Sequence, residues 1–449
     1  MSFSSPVFEV DSRTGFMAPF EPLHRLPIQW EPWEATLEAA LHAQLQLGDK
    51  VDLTDEEAVQ SEKWRATVRL LPVLDTEGLV SAVLLRRAHL VLAYIMHFYI
   101  QSLPPTASVL IPRPVGIPML RVSSLLDIPP VLTFSDTVLY NWIIDHTCIP
   151  SPITPTSSNA NVNTNATLDA SRRVPTISTI RTRTMFTGLL DEEEFYLCSG
   201  RIELRGVQAL EIMQATMDEI FIGDITAVSR ITMYLRTLVS VIGDLKALLM
   251  DVRRACNPDR YYNLVRPWFR GEDSDVHKRK WVFEGVEDAM LGGVPEPIEL
   301  SGPSAGQSSL VHVLDIFLGV DHVKPGEISF MRRMQKYMPS KHRSFLDHLG
   351  ANPRPLRGFV MAAGNAGLEE AYNAAVVALK EFRDGHMVIA TLYILGPARR
   401  AAQRAKEMSA NCVFQGEGDS ANPLKGTGGT DLVKFLKDTR NRTNEAIIP

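Results

Sequence analysis

The chain has 449 residues, 45% of them hydrophobic and 22% charged, with a formal net charge of −6 and a pI near 6.0. That composition is ordinary for a soluble globular protein with room for two or more domains, and the acidic balance offers no basic patch for nucleic acid. The four cysteines, Cys148, Cys198, Cys256 and Cys412, form no C-x-x-C pair, which argues against a zinc site or disulfide framework and fits a reducing, cytoplasmic compartment.

Residues 1–32 are rich in Pro, Phe and Ser and read as an extended arm over the surface, without the charged and apolar regions of a secretory leader. Helical periodicity begins near Trp33. A second helix follows Thr54 and Asp55, either of which can cap it, and a third covers residues 81–101. Within that third helix the apolar run 88–103 is short for a membrane span and is broken by His89, His97 and Gln101, so a buried core helix is expected and no membrane partner. A proline-punctuated stretch, 103–114, reads as a loop. Two more helices, 120–126 and 134–144, complete a small α domain over residues 1–150.

Residues 151–175 change character to Ser, Thr, Asn and Pro, with few large apolar side chains, and read as a flexible linker or insertion. From 176 to 449 the spacing predicts a larger all-α domain. Its helices fall at 192–217, 227–255, 308–318, 328–337, 341–349 and 368–395. A polar connection over 399–422 then leads to a last helix near 431–440. A bundle of this size can enclose a cofactor.

In the longest of these helices, Leu379, Phe382, Ile389, Ala390 and Tyr393 share a face with His386. Two readings compete for that histidine: a core imidazole satisfied by a hydrogen bond, or a neutral imidazole ligating haem iron. Elsewhere, Tyr261 and Tyr262 precede Arg266 by about a helical turn, an arrangement suited to an aromatic-walled pocket with a guanidinium for a carboxylate, or simply to a helix end. Ser301-Gly302-Pro303-Ser304-Ala305-Gly306-Gln307-Ser308 allows close backbone approach to a flat ligand; a phosphate cradle is less suited, because the P-loop lysine is missing. Lys425-Gly426-Thr427-Gly428-Gly429-Thr430 reads as an anion nest or a mobile lid. No hydrolase or metalloprotease motif is present, and His342 and His348 lack metal-ligand companions, so the chemistry is expected to be a cofactor's.

Together these segments resemble the indoleamine 2,3-dioxygenase family. Met334-Gln335-Lys336-Tyr337-Met338-Pro339-Ser340-Lys341-His342-Arg343 is similar to its M-R-x-Y-M-P-x-x-H-R segment, with Gln335 in place of arginine. Ser304-Ala305-Gly306-Gln307-Ser308-Ser309, the Gly-Thr-Gly-Gly-Thr loop, and Leu126-Asp127-Ile128-Pro129-Pro130 before Asn141-Trp142 resemble three further family segments, and the insertion resembles those of fungal members.

The resemblance implies a monomeric, all-α haem protein that inserts both atoms of O2 across the indole C2–C3 bond of L-tryptophan, giving N-formylkynurenine, with an electron donor keeping the haem b iron ferrous. It implies His386 as the proximal ligand, Asp315 behind it as the group orienting the imidazole, and Arg383 and Ala305 near the haem. It implies Phe134, Val138 and Phe195 as indole-pocket residues and Ser199, Tyr261 and Tyr262 on the distal side. Arg266 is implied as the carboxylate clamp and Thr427 as part of a loop closing over substrate. The alternatives are a dioxygenase for another indoleamine, or a haem or tryptophan sensor on the same fold; a pure haem sensor has no use for the Arg266 clamp.

Overall fold

The computed structural model describes residues 7–145, 147, 174–287, 297–321, 329–352, 354–411 and 432–449. The expected insertion and the Thr427 loop therefore lie outside the described residues, apart from positions 174 and 175.

The chain is all-α, as the periodicity implied. Four helices come first: α1 (Glu31–Ala43), α2 (Asp55–Arg69), α3 (Ala82–Gln101) and α4 (Arg113–Leu126). Thr54, not Asp55, caps α2, in a reciprocal capping box with Glu57. The helix α3 has the length and apolarity of a membrane span, but every residue from Ala88 to Gln101 is buried within the fold, packed against α1 and α4.

Two long antiparallel neighbours, α5 (Leu190–Ile222) and α6 (Ile225–Asp251), follow. Asp224 caps α6 by accepting from Ala227 N, which turns the chain sharply between them. Then come α7 (Ser309–Phe317), α8 (Ser340–Gly350), α9 (Leu356–Ala363), α10 (Ala366–Ala390), α11 (Gly396–Asn411) and α12 (Leu432–Glu445). Asn365 caps α10 through Leu368 N. The helix α6 lies between α5 and α10 and packs extensively on both, while α12 closes over α10.

Four expectations need correction. The 134–144 segment is a π-helical turn, Ser135–Leu139, followed by strand β2 (Trp142–Ile144), because the β-branched end of the segment pairs with β3 (Ile180–Thr182) in an antiparallel ladder. The proline-rich stretch contains a strand, β1 (Val109–Ile111), parallel to β4 (Trp281–Phe283), and α4 begins inside it. Proline is tolerated in a first helical turn, where its missing N–H has no partner to lose. The polar stretch after 399 is helical as far as Asn411. The N-terminal arm is embedded: Phe16, Met17 and Ala18 are buried, and the last two pack on Phe134, Val138 and Trp142.

One hydrophobic cluster runs through both expected domains. Within it Phe186 stacks on Trp268 at 5.6 Å between ring centroids, and Phe98 of α3 meets both edge-on at 4.9 and 5.2 Å.

Candidate active site

An apolar cavity opens between α5, α6, α10 and α12, with the 303–308 turn and the Ser135–Leu139 turn at its sides. The face of α5 presents Phe195, Ser199, Ile202 and Glu203, spaced by three and four residues. From α10 come Phe382, Arg383, His386 and Ile389, at the same periodicity. Phe134 and Val138 reach the cavity from the first half of the chain, where the embedded arm packs behind them. Tyr261 and Arg266 line it from the far side; the Tyr261 ring lies 4.3 Å from that of Phe195 and 5.8 Å from that of Tyr393. Ala305 lines an open edge.

His386 differs from the other enclosed histidines. His97 accepts from Leu132 N and contacts the Trp268 carbonyl at 2.8 Å, and His89 meets Asp136 at 2.8 Å. His342 meets Ser309 Oγ at 3.2 Å. His312 holds the Gly306 carbonyl through Nε2 at 2.9 Å and accepts from Gln335 Nε2 at 3.1 Å. Among the described residues no hydrogen bond is made by either nitrogen of His386. Burial, and then the neighbouring Arg383 guanidinium, pull it down from the ordinary 6.5 to about 4, so it is neutral at physiological pH. A neutral imidazole with unused nitrogens on an apolar wall fits haem ligation and not the hydrogen-bonded core reading. The aromatic and aliphatic lining suits the apolar faces of a porphyrin, and Arg266 and Arg383 bring cationic groups to the same space.

The other expected residues are placed as follows. Arg266 is buried, its guanidinium 5.5 Å from the Tyr262 ring centre, and burial draws its pKa below the usual value. Tyr262 does not line the cavity with Tyr261; neighbours on a helical turn point about 100° apart, and Tyr262 packs under Arg266 instead. Asp315 is buried behind the cavity and pairs with Arg383; among the described residues no hydrogen bond joins it to His386.

Two further residues shape the site, although the sequence assigns neither of them a role. Gln307 accepts from Phe134 N at 2.8 Å and donates to the Gly302 carbonyl at 2.9 Å, tying the Phe134 wall to the 302–308 segment. Glu203 lines the cavity one turn beyond Ser199, and that four-residue spacing was its only sequence signal. Gly302 serves a different purpose from the expected one: a Cβ there would fall 1.9 Å from the Phe269 carbonyl, so the close approach is between two stretches of backbone.

A family model described as indoleamine 2,3-dioxygenase matches residues 4–446. The chain belongs to the indoleamine 2,3-dioxygenase family. It is thus a member of a family of oxidoreductases of the dioxygenase type. Its relatives include the mouse protein indoleamine 2,3-dioxygenase 2, 30% identical over 98% of this chain and 95% of that protein. Indoleamine 2,3-dioxygenase of Saccharomyces cerevisiae is 30% identical over 86% of this chain and 83% of its own length. The 6-hydroxytryptophan 2,3-dioxygenase of Fusarium equiseti is 29% identical over 98% of this chain and 97% of its own. In this dioxygenase the match spans both regions of the fold that contribute cavity walls.

Proposed function

We propose that this enzyme is a haem-dependent dioxygenase that cleaves the indole C2–C3 bond of L-tryptophan, giving N-formylkynurenine. The observation that carries the reading is His386, a neutral imidazole without a hydrogen-bond partner among the described residues, on the wall of a cavity that also presents Arg266. His386 would hold the iron, with Phe382 and Ile389 against the porphyrin. When bound, the haem supplies the site where O2 is activated.

The remaining work is positioning. Phe134, Val138, Phe195 and Tyr261 offer an aromatic and aliphatic slot for a planar indole and exclude water from it. Arg266 offers two parallel N–H donors to the amino-acid carboxylate, in a buried setting where such a contact is strong. Ser199 lines the cavity as a hydroxyl, without a role as base, because the reaction leaves no proton that the protein must remove. Thr427, beyond the described residues, is proposed to contribute to the substrate end.

Ring-hydroxylated tryptophan is a second substrate within the same reading, favoured by the 6-hydroxytryptophan 2,3-dioxygenase relative. The proposal extends to a monomeric cytoplasmic enzyme that draws on a cellular electron donor. An absorbance spectrum of the purified protein should show a Soret band. Addition of L-tryptophan or 6-hydroxytryptophan under ascorbate and methylene blue should give the formylkynurenine chromophore. A haem-reconstituted protein that consumes neither indole would sink the enzyme reading in favour of a sensor.

A further inference from the structure

Glu203 is buried in the cavity wall, and among the described residues no cation pairs with it. Its Oε1 accepts from Ser308 Oγ at 2.6 Å, while its Oε2, shielded from solvent, has no hydrogen-bond partner there. Ser308 directly follows the Ala305–Gln307 turn and precedes α7, yet its hydroxyl does not cap that helix. It is committed to Glu203 instead. Further along the same seam α5 comes so close to α7 that a Cβ on Gly206 would fall 2.3 Å from Leu310 Cδ2. Two pairs, 203 with 308 and 206 with 310, therefore bring the two elements together.

We infer that the Glu203–Ser308 hydrogen bond is a clamp that fixes the separation of two cavity walls, the α5 face bearing Ser199 and the turn bearing Ala305, and so positions the bound tetrapyrrole. The inference rests on the haem reading above. Glu203 is a positioning residue, acting through Ser308.

A buried carboxyl with one hydrogen bond is poorly placed to hold a charge. Burial pushes Glu203 up from 4.5 to about 7, against the Ser308 hydrogen bond, which lowers it. The charged groups on the surrounding elements are engaged elsewhere. On α5, Arg201 pairs with Glu194 and Arg205 with Asp244. On α7, His312 holds Gly306 and Asp315 pairs with Arg383 of α10. On α8, His342 meets Ser309. His386, also on α10, is neutral above about 4. Near neutral pH the clamp therefore passes from a neutral acid to a buried carboxylate.

The test compares the full-length wild type with Glu203→Gln, Glu203→Leu, Ser308→Ala and the Glu203→Leu/Ser308→Ala double variant. The readouts are haem titration of the apoprotein and amide hydrogen exchange at residues 305–309. At pH 6, Glu203→Gln should bind haem like the wild type. Glu203→Leu and Ser308→Ala should each bind about three- to tenfold more weakly, the span of one buried hydrogen bond, and the double variant no more weakly than either. Exchange at 305–309 should rise in the same three variants.

Wild-type affinity and exchange in both Glu203→Leu and Ser308→Ala overturn the clamp, as does a Glu203→Gln variant as weak as Glu203→Leu. Should Glu203→Leu fail to fold, Ser308→Ala and Glu203→Gln decide, through haem titration and exchange at 305–309. A wild-type chain that takes up no haem sinks the functional reading, while exchange at 305–309 still decides the clamp.

Discussion

Arg383 donates through Nη2 to the carboxylate of Asp315, and the pair is buried three residues ahead of His386 in α10. The same guanidinium donates through Nη1 to Thr443 Oγ1, so one side chain joins α10, α7 and α12. Removing a single partner strands a charge. Asp315→Ala should destabilise the apoprotein by about 3–5 kcal/mol, read by denaturant unfolding. Replacing both residues with apolar ones of similar volume, Asp315→Leu with Arg383→Met, should recover most of that loss. Unchanged stability in Asp315→Ala would show that Arg383 is not left with an uncompensated buried charge.

Arg383 also contributes to keeping the proposed ligand neutral. Its guanidinium is the second cause, after burial, that holds His386 near 4. In Arg383→Met the imidazole should titrate higher, by NMR of the apoprotein, while remaining below the free value because burial persists. An unchanged titration would show that burial acts alone.

His386→Ala should abolish the Soret band or reduce haem occupancy severely. His312 is no substitute, because both its ring nitrogens are engaged, by Gly306 and Gln335. A His386→Ala protein with full haem and normal turnover would refute the assignment.

The apoprotein should lose stability in acid through a defined window. His386 and His97 titrate near 4 and His342 near 3 when folded, all below the unfolded value near 6.5. Below 6.5 the unfolded chain binds protons that the folded chain refuses. The stability these three contribute is therefore present above about 6.5 and falls as pH drops towards 4 and 3. Glu203 runs the other way: its contribution is present below 4.5 and is lost as pH rises through about 7. Urea midpoints across pH 4–8 check both, and the rising-pH loss should shrink in Glu203→Gln.

For Arg266, substrate comparison is decisive. Losing one member of a desolvated charge pair costs about 2–5 kcal/mol. Arg266→Ala should lower kcat/KM for tryptophan by tens- to thousands-fold with the ferrous–CO spectrum nearly intact, and Arg266→Lys should recover only part. Tryptamine, which lacks the carboxylate, should be almost indifferent. Equal losses for both would place Arg266 in a supporting role for the fold or the haem.

Ser199→Ala should keep most of the activity. A loss of roughly a thousandfold, inside the general-base range of about 10²–10⁴, would return a proton-transfer role to the hydroxyl.

The long helices α5, α6 and α10 are legible in the sequence because their apolar residues recur at helical spacing. In α10 that spacing alone puts His386, Phe382 and Ile389 on one face. The strands are not legible: each has three residues, too few to show alternation, and β1 and β4 are separated by about 170 positions. The helix α11 is so polar, with Gly396 and Pro397 at its start, that its composition reads as a connection. At the site, residue types are visible in the sequence but partners are not. Asp315 stands out as an acid near the proposed haem, yet its pairing with Arg383 depends on how α7 and α10 meet. Glu203 is an ordinary glutamate on a helix until packing removes its water.

The ladder between Trp142–Ile144 and Ile180–Thr182 holds the two ends of an intervening stretch side by side, three residue pairs deep. With that closure made by the fold, chain added between the two strands is expected to cost only about 0.6 kcal/mol for each doubling of the length. The interval between the two strands is accordingly the place to test an insertion. A reporter domain or affinity tag spliced between residues 151 and 173 would leave this dioxygenase on one continuous chain, with the ladder insulating the Phe134 wall from whatever is carried there.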